Sequence, residues 1–382
     1  MSTLLPLFDR IRHRMFQRAY GWTGVEIGSH CINLAQVRRF ENRWQLAAVW
    51  SVDHPTSFSV ATEPNAFECD EAFGWLANDE IMEHGLAHTI DHLKNLNALF
   101  HGRNCAATLT DGMIAYREID LPVCAPTEAQ AMVHSEIALD MDCDLEELLT
   151  DYWELPQNRP RSNASSFGAV STKRSTAMLL ASDLLKAGFE CQTLDAMPCA
   201  MARATSMLVD ECSASTLAID LGYYQATLTL VQNGLPILSR GVRELGLFQL
   251  LELIAISFEI SLSDAQTLLF QSSSNRGGLS NASDDFSNPL QQKLGGYFQS
   301  LTKEIERTVQ FADRTYRTMT PSQIMLMGSG VRIPTMDQTI EHRVGIPTHT
   351  WALDVAENLF GNQHLGVYAI AAGLSCLAWE AM

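Results

Sequence analysis

The sequence predicts a two-lobed α/β protein, and three observations carry that expectation. The chain has 382 residues, more than one simple core accommodates and enough for two lobes that each bury most of their apolar side chains. Strand-like and helix-like runs alternate along most of its length. One pattern also occurs twice: an apolar strand carrying an acid, a glycine turn, then a second apolar strand, as GVEIGSHCINL from Gly24 and as AIDLGYYQATLTL from Ala218. The copies lie about 190 residues apart and imply a duplicated architecture.

Composition sets outer limits. No run of about 18 apolar residues is present, and the N-terminus lacks an apolar stretch followed by a small-residue cleavage site. The expectation is a chain that is neither exported nor membrane-spanning. The nine cysteines, at 31, 69, 105, 124, 143, 191, 199, 212 and 376, never come closer than eight residues, which excludes a CxxC redox pair or zinc knuckle. Scattered in apolar surroundings, they read as reduced core cysteines of a cytoplasmic protein. A formal charge of −18 argues against general nucleic-acid binding, which needs a basic surface to displace counterions.

Residues 1–21 form a basic amphipathic leader. Leu4, Phe8, Ile11 and Met15 recur at helical spacing, with Arg10, Arg12, Arg14 and Arg18 set against Asp9. Two readings stand. One is an interfacial helix on anionic lipid, with Phe8 and the four arginines as membrane contacts. The other is a leader docked on its own domain, toward which Pro6 and the short length point.

Within 22–110, the first lobe, three strand-like runs (GWTGVEIG, INLAQVRR and RWQLAAVWSV) form a β-meander, the last two joined by the polar turn FEN. Residues 54–80, acidic and rich in Pro and Asn, read as a surface excursion. A helix is expected from Ile81 to Phe100 on the apolar stripe Leu86, Ile90, Leu93 and Phe100. His84, His88 and His92 have a spacing that can place two imidazoles on one metal. At about 100° per residue, however, they face away from that stripe. They are read as a solvated face, and no metal is assigned.

Residues 111–195 alternate strand and helix and read as a small inserted subdomain. The block runs from NCAATLTDGMIAYREIDLP through a helix from Thr127 to Ala138, the strands LLTDYWELP and SFGAVSTKR, the helix TAMLLASDLLKAGF with a Gly188 cap, and the strand CQTLDAM. A connecting helix follows in 196–215. The second lobe, 216–364, opens on the repeated pattern, with Asn233-Gly234 as a hairpin signal. Helices fill 247–270, the low-complexity stretch 271–290 reads as a mobile loop, and a helix spans 291–311. The strand QIMLMGSGV, a further helix and the strand GIPTHTW complete the lobe, and 365–382 reads as a C-terminal helix packing on the first lobe.

The hairpins GVEIGSH and AIDLGYY, followed by a late strand ending in GSG, resemble the phosphate and adenosine signature of the actin-like, ribonuclease H-like fold. In finer detail the chain resembles the PilM family of type IV pilus assembly proteins. DGMIAYREIDLP, DYWELP, LLKAGFECQTLDAMPCAMARA, VQNGLPILSRGV, SFEISLSDAQTLL, IMLMGSGVRIPTM and YAIAAGL fall where that family has comparable segments. The resemblance spans 22–375, apart from 54–80 and 271–290. It implies ATP and Mg²⁺ in a cleft between the lobes, and a groove on the first lobe for the cytoplasmic tail of a PilN-like inner-membrane protein. A PilO-like protein and the pilus assembly ATPases are further implied partners, with a cytoplasmic location at the inner membrane.

The same resemblance assigns Glu26, Gly28, Ser29, Asp220, Gly222, Gly328, Ser329 and Gly330 to the nucleotide. Other positions depart from the pattern. Glu26 replaces an Asp, Asn33 a lysine that would face the triphosphate, and Met197 the Glu of a Glu-Pro turn. Tyr223 and Tyr224 replace small residues, either crowding the phosphates or packing as strand residues do. Charge-neutralising and water-orienting groups are worth orders of magnitude in phosphoryl transfer. The expectation is therefore a scaffold with a degenerate cleft and no catalytic residue. The alternatives are an active ATPase or kinase of the same fold, an FtsA-like polymer tethered by the leader, and a GspL-like secretion component. Against the last stands an end, SCLAWEAM, without an anchor.

Overall fold

The computed structural model describes residues 20–28, 30–41, 43–53, 93–94, 96–109, 114–141, 144–155, 164–209, 215–271, 284–316, 319–355 and 364–380. The chain divides into two compact units, one formed by residues up to 208 with 353–363 and 370–382, the other by 209–352 with 364–369.

The first unit opens with an antiparallel meander of β1 (Thr23–Ile27), β2 (Cys31–Phe40) and β3 (Arg43–Asp53). β4 (Asn104–Leu109) lies parallel to β1. There follow β5 (Ala115–Pro122), α1 (Pro126–Met141), β6 (Leu148–Glu154), β7 (Ala164–Lys173), α2 (Arg174–Lys186), β8 (Glu190–Ala196) and α3 (Met197–Ser206). β8 pairs parallel with β4, giving the order β3-β2-β1-β4-β8, while β5-β7-β6 form a separate antiparallel sheet. Central strands such as β1 are buried along nearly their whole length, because helices cover a sheet that parallel pairing places inside. α2 turns Leu180 and Leu184 onto a core with Val25, Ile27, Leu93, Phe100 and Phe189. α1 turns Ala129, Val133 and Ile137, at helical spacing, onto Leu121, Leu148 and Phe167 of the small sheet.

The second unit repeats the first sheet. β9 (Thr216–Leu221), β10 (Ala226–Gln232) and β11 (Leu235–Val242) form the meander. α4 (Leu247–Phe258), α5 (Leu262–Gln271) and α6 (Asp284–Tyr316) follow, then β12 (Gln323–Met327), α7 (Met336–Val344) and β13 (Thr348–Thr350). The order β11-β10-β9-β12-β13, with β12 and β13 parallel, matches that of the first sheet. The Asn233-Gly234 turn is the expected tight hairpin, with both residues at positive φ (52° and 75°). α6 starts at Asp284, so 284–290 belong to a helix and not to the loop read from composition. Its stripe Leu290, Phe298, Leu301 and Ile305 is buried, and that packing outweighs the Ser/Asn-rich sequence.

The chain then returns to the first unit through β14 (Asp354–Val355), paired parallel with β3, and through α8 (Ala369–Ser375) and α9 (Leu377–Glu380). Ser375 fastens α8 to the meander: its hydroxyl donates to Trp22 O at 2.5 Å and accepts from Val37 N–H at 3.0 Å. Leu96–Leu99 forms a 3₁₀ turn where the sequence suggested the end of a long helix. The remainder of that helix through residue 92, its three histidines, the 54–80 excursion and 272–283 lie outside the described residues. Among the described residues, no single helix is long and apolar enough to cross a membrane. α4 and α5 reach the needed length only across a 105° bend, and Leu247, Leu250, Leu251 and Ile254 of α4 are buried.

Candidate functional site

The two repeated hairpins close with the same register. In the first, Glu26 pairs with Asn33 and Ile27 with Ile32 around a four-residue turn; in the second, Asp220 pairs with Thr227 and Leu221 with Ala226. Gly28 N–H donates across the first turn to Cys31 O at 3.0 Å. A Cβ on Gly28 would stand 2.8 Å from that oxygen, and one on Gly222 would stand 2.7 Å from Gln225 O. Both turns therefore require glycine because their two sides approach too closely for a side chain. Local chemistry repeats along with topology.

In the first hairpin the polar groups satisfy one another. Asn33 is buried and donates from Nδ2 to Glu26 Oε2 at 3.2 Å, and Ser51 of β3 donates its hydroxyl to Asn33 Oδ1 at 2.8 Å. The Cys31 thiol also points at that oxygen, at 3.6 Å. Neighbours on three adjacent strands thus form one chain of contacts, as residues facing the same side of a sheet do. Burial pushes the Glu26 carboxyl up to about 7, with the Asn33 bond opposing the rise. A carboxylate that readily takes a proton is a poor anchor for a metal-water shell.

In the second unit the structure brings together Asp220, Gly222 and the late glycine corner. Met327, at the end of β12, pairs with Asp220 of β9, so the chain turns at Gly328 directly beside that carboxylate. Gly328 adopts φ +83°, and a Cβ there would lie 1.9 Å from Asp220 Oδ1. Its N–H donates to Gly366 O at 3.0 Å. Gly330 follows within the turn Ser329–Arg332, where an added Cβ would lie 2.5 Å from Leu221 Cβ. Ser329 is partly buried at the start of that turn.

Tyr223 and Tyr224 occupy the turn itself. Their rings meet edge-on at 5.0 Å and lie 5.8 and 5.4 Å from the ring of Phe248 in α4. The backbone below them is used as well: Leu247 N–H donates to Gly222 O at 3.0 Å and Phe248 N–H to Tyr223 O at 2.7 Å. These are the first amides of α4, the groups that at an open helix N-terminus would receive an anion. Here the hairpin carbonyls take them.

Met197 begins α3 in the first unit, next to an ion-pair cluster that sequence reasoning missed. Arg203 pairs with Asp195 and, at 2.8 Å, with Glu380 of α9. Desolvation raises the Asp195 pKa and the Arg203 charge opposes that rise. The cluster joins β8, α3 and α9, elements whose meeting no local pattern announces. Ser51 was likewise invisible, since only the β2–β3 register sets it opposite Asn33. Ser29, Phe8, Arg10, Arg12, Arg14 and Arg18 lie outside the described residues. Among the described residues, no group of three or more His, Cys, Asp or Glu is arranged to hold a metal ion.

Two sheets of one strand order, each opened by an acid-x-Gly hairpin, with a Gly-Ser-Gly corner packed on the second, define a protein of the actin-like α/β fold. The family of type IV pilus assembly protein PilM matches residues 101–360, and the chain belongs to it. Among solved structures, the chain is similar to a PilM-PilN type IV pilus biogenesis complex at 19% identity. That alignment covers 94% of this chain and 98% of the other, with a TM-score of 0.69. It is also similar to ethanolamine utilization protein EutJ from Carboxydothermus hydrogenoformans at 13% identity, covering 93% and 89% of the two chains, with a TM-score of 0.49. The activator of 2-hydroxyisocaproyl-CoA dehydratase from Clostridium difficile, with bound ADPNP, aligns at 11% identity over 94% and 95% of the two chains, with a TM-score of 0.44. Comparison with curated proteins returns no match.

Proposed function

We propose that the protein is a scaffold of type IV pilus assembly that holds the cytoplasmic tail of a PilN-like inner-membrane protein and has lost efficient ATP chemistry. Family membership carries the scaffold reading: the match at 101–360 takes in the three-stranded sheet, α3 and the whole five-stranded sheet of the second unit. The PilM-PilN complex, aligned over nearly all of this chain, supports the choice of partner. In this reading 111–195 is the inserted subdomain beside the tail groove. A PilO-like protein and the assembly ATPases are the expected neighbours, at the cytoplasmic face of the inner membrane.

The residues fit ATP and Mg²⁺ poorly. Gly28, Gly222 and the Gly328–Gly330 corner keep the close backbone approach that phosphate and adenosine need. The groups that would act on a phosphate are otherwise engaged: burial pushes the Glu26 carboxyl up to about 7, Asn33 is bonded to Glu26 and Ser51, and the first amides of α4 are occupied. ATP with Mg²⁺, when bound, supplies a charged ligand that could order the protein, but little here would orient an attacking water.

Fluorescence anisotropy with a labelled synthetic peptide of the PilN-like N-terminal tail tests the scaffold reading. Saturable binding in the micromolar range is expected, and a full-length folded sample that fails to bind it overturns the assignment.

A further inference from the structure

Two cysteines that lie far apart in the sequence face each other in the first sheet. β4 and β8 run parallel, and their register sets Cys105 opposite Cys191. Side chains opposed on neighbouring strands leave the same side of the sheet, and both thiols join the core that α2 covers, Cys105 fully buried and Cys191 partly. Neighbouring strands lie about 4.8 Å apart, inside the roughly 4.4–6.8 Å over which a disulfide joins two Cα atoms. Both residues are free thiols. Of the free cysteines among the described residues, these are the only two that a strand pair sets opposite each other.

The two thiols are not equivalent. Cys105 donates its proton toward the Cys191 sulfur, and that bond, together with burial, pushes the Cys105 pKa up. The same bond lowers the Cys191 pKa against its own desolvation. Cys191 is therefore the readier thiolate and the more accessible of the two, while Cys105 stands behind it, in place to resolve whatever forms on its sulfur. The ladder adds freedom at this point. Its register shifts between Cys105 and Ala106, so Gln192 is left over and the strands twist more strongly beside the pair.

We infer that Cys105 and Cys191 form a dithiol site that a hydroperoxide converts to a disulfide. The Cys191 thiolate attacks one peroxide oxygen, the O–O bond breaks, and the departing hydroxide takes up the proton that Cys191 released and leaves as water. Cys191 is then a sulfenic acid. The Cys105 sulfur attacks it, the S–O bond breaks, and the hydroxide set free takes the Cys105 proton to give a second water. The two thiols lose two electrons and the peroxide gains them. The new bond joins the strand by which the chain leaves the first sheet for the three-stranded sheet to the strand by which it returns after α2. It closes β5, α1, β6, β7 and α2 into one loop and so clamps the neck of that segment. In a reducing compartment such a bond is transient, which suits a reversible signal and not a permanent staple.

The test is mass spectrometry of the folded full chain after exposure to hydrogen peroxide, digested without reductant. A peptide pair cross-linked through Cys105 and Cys191 is expected, lighter than the two free peptides by two hydrogens and separated by dithiothreitol. Cys105→Ala should instead accumulate a sulfenic acid at Cys191, trapped with dimedone, and Cys191→Ser should leave Cys105 a thiol. Oxidised wild type should melt above the reduced form by roughly 5 °C or more, because a cross-link that closes so long a loop restricts the unfolded chain; Cys191→Ser should show no such rise. Circular dichroism reports whether each variant is folded. Wild type that keeps both thiols under peroxide, or that forms the cross-link only once urea has unfolded it, overturns the inference. So does Cys191 that advances to the sulfinic acid while Cys105 stays a thiol. A cross-link that leaves the melting temperature unchanged or lowers it overturns the clamp.

Discussion

Glu26→Gln separates the two roles that the first hairpin could have. The glutamate titrates near 7 in the folded protein against an ordinary 4.5, because burial disfavours its charged form more than the Asn33 bond restores it. Between those values the folded chain holds a proton that the unfolded chain has released. Its contribution to stability is therefore fully present below 4.5 and is lost as pH rises through about 7. The separation caps the effect at roughly 3 kcal/mol, and because the residue as a whole is only partly buried, about half of that should remain. Glutamine preserves the acceptor for Asn33 Nδ2 and cannot ionise. The variant should match wild type at pH 4.5 and exceed its stability by roughly 1–2 kcal/mol at pH 8. Urea unfolding of both proteins across that range measures the difference. Parallel stability profiles would refute the reasoning. So would a wild type that Mg-ATP stabilises strongly at pH 8 while the variant is unaffected, since that would make the ionised glutamate part of a working nucleotide site.

Other substitutions probe the remaining parts. Gly328→Ala should cost roughly 2–5 kcal/mol in thermal or urea unfolding, from left-handed backbone strain and the collision with Asp220; adding Asp220→Ala should recover the collision but not the strain. Arg203→Ala leaves Asp195 buried without its cation and should cost roughly 3 kcal/mol near neutral pH. That loss should shrink on acidification, because burial already raises the Asp195 pKa and the neutral acid needs no partner. In calorimetry, Mg-ATP should give no micromolar binding to wild type, and phosphate release should stay at background in both wild type and Asn33→Lys. Turnover at the rate of an ordinary actin-fold ATPase would overturn the reading of the site.

How far the site was legible follows from the distance over which each feature is decided. The duplicated hairpins were readable because an alternating strand, an acid and a glycine turn are set by neighbours a few residues apart. The Asn233-Gly234 turn and the Gly188 C-terminal signal after α2 were readable for the same reason, and Gly188 indeed sits at φ +95°. Asn33 was read as the absence of a lysine. Its actual role appears only when β3 brings Ser51, 18 residues away, to its side-chain oxygen. Tyr223 and Tyr224 could be named as misplaced bulk. That they stack on Phe248, while their turn takes the first amides of α4, depends on how a distant helix docks.

By itself, then, the sequence determined the kind of protein this is: an α/β chain with two copies of one hairpin, a late glycine corner and family segments in consistent order. Local hydrogen bonding and side-chain periodicity suffice for that, since strands, turns and helices form from residues close in the chain. Only the tertiary structure decided the surroundings of that corner. Burial set the proton affinity of Glu26, strand register gave Asn33 its partners, and a parallel strand pair pressed Gly328 against Asp220. Desolvation and packing depend on everything that surrounds a group, and no stretch of sequence contains its own surroundings.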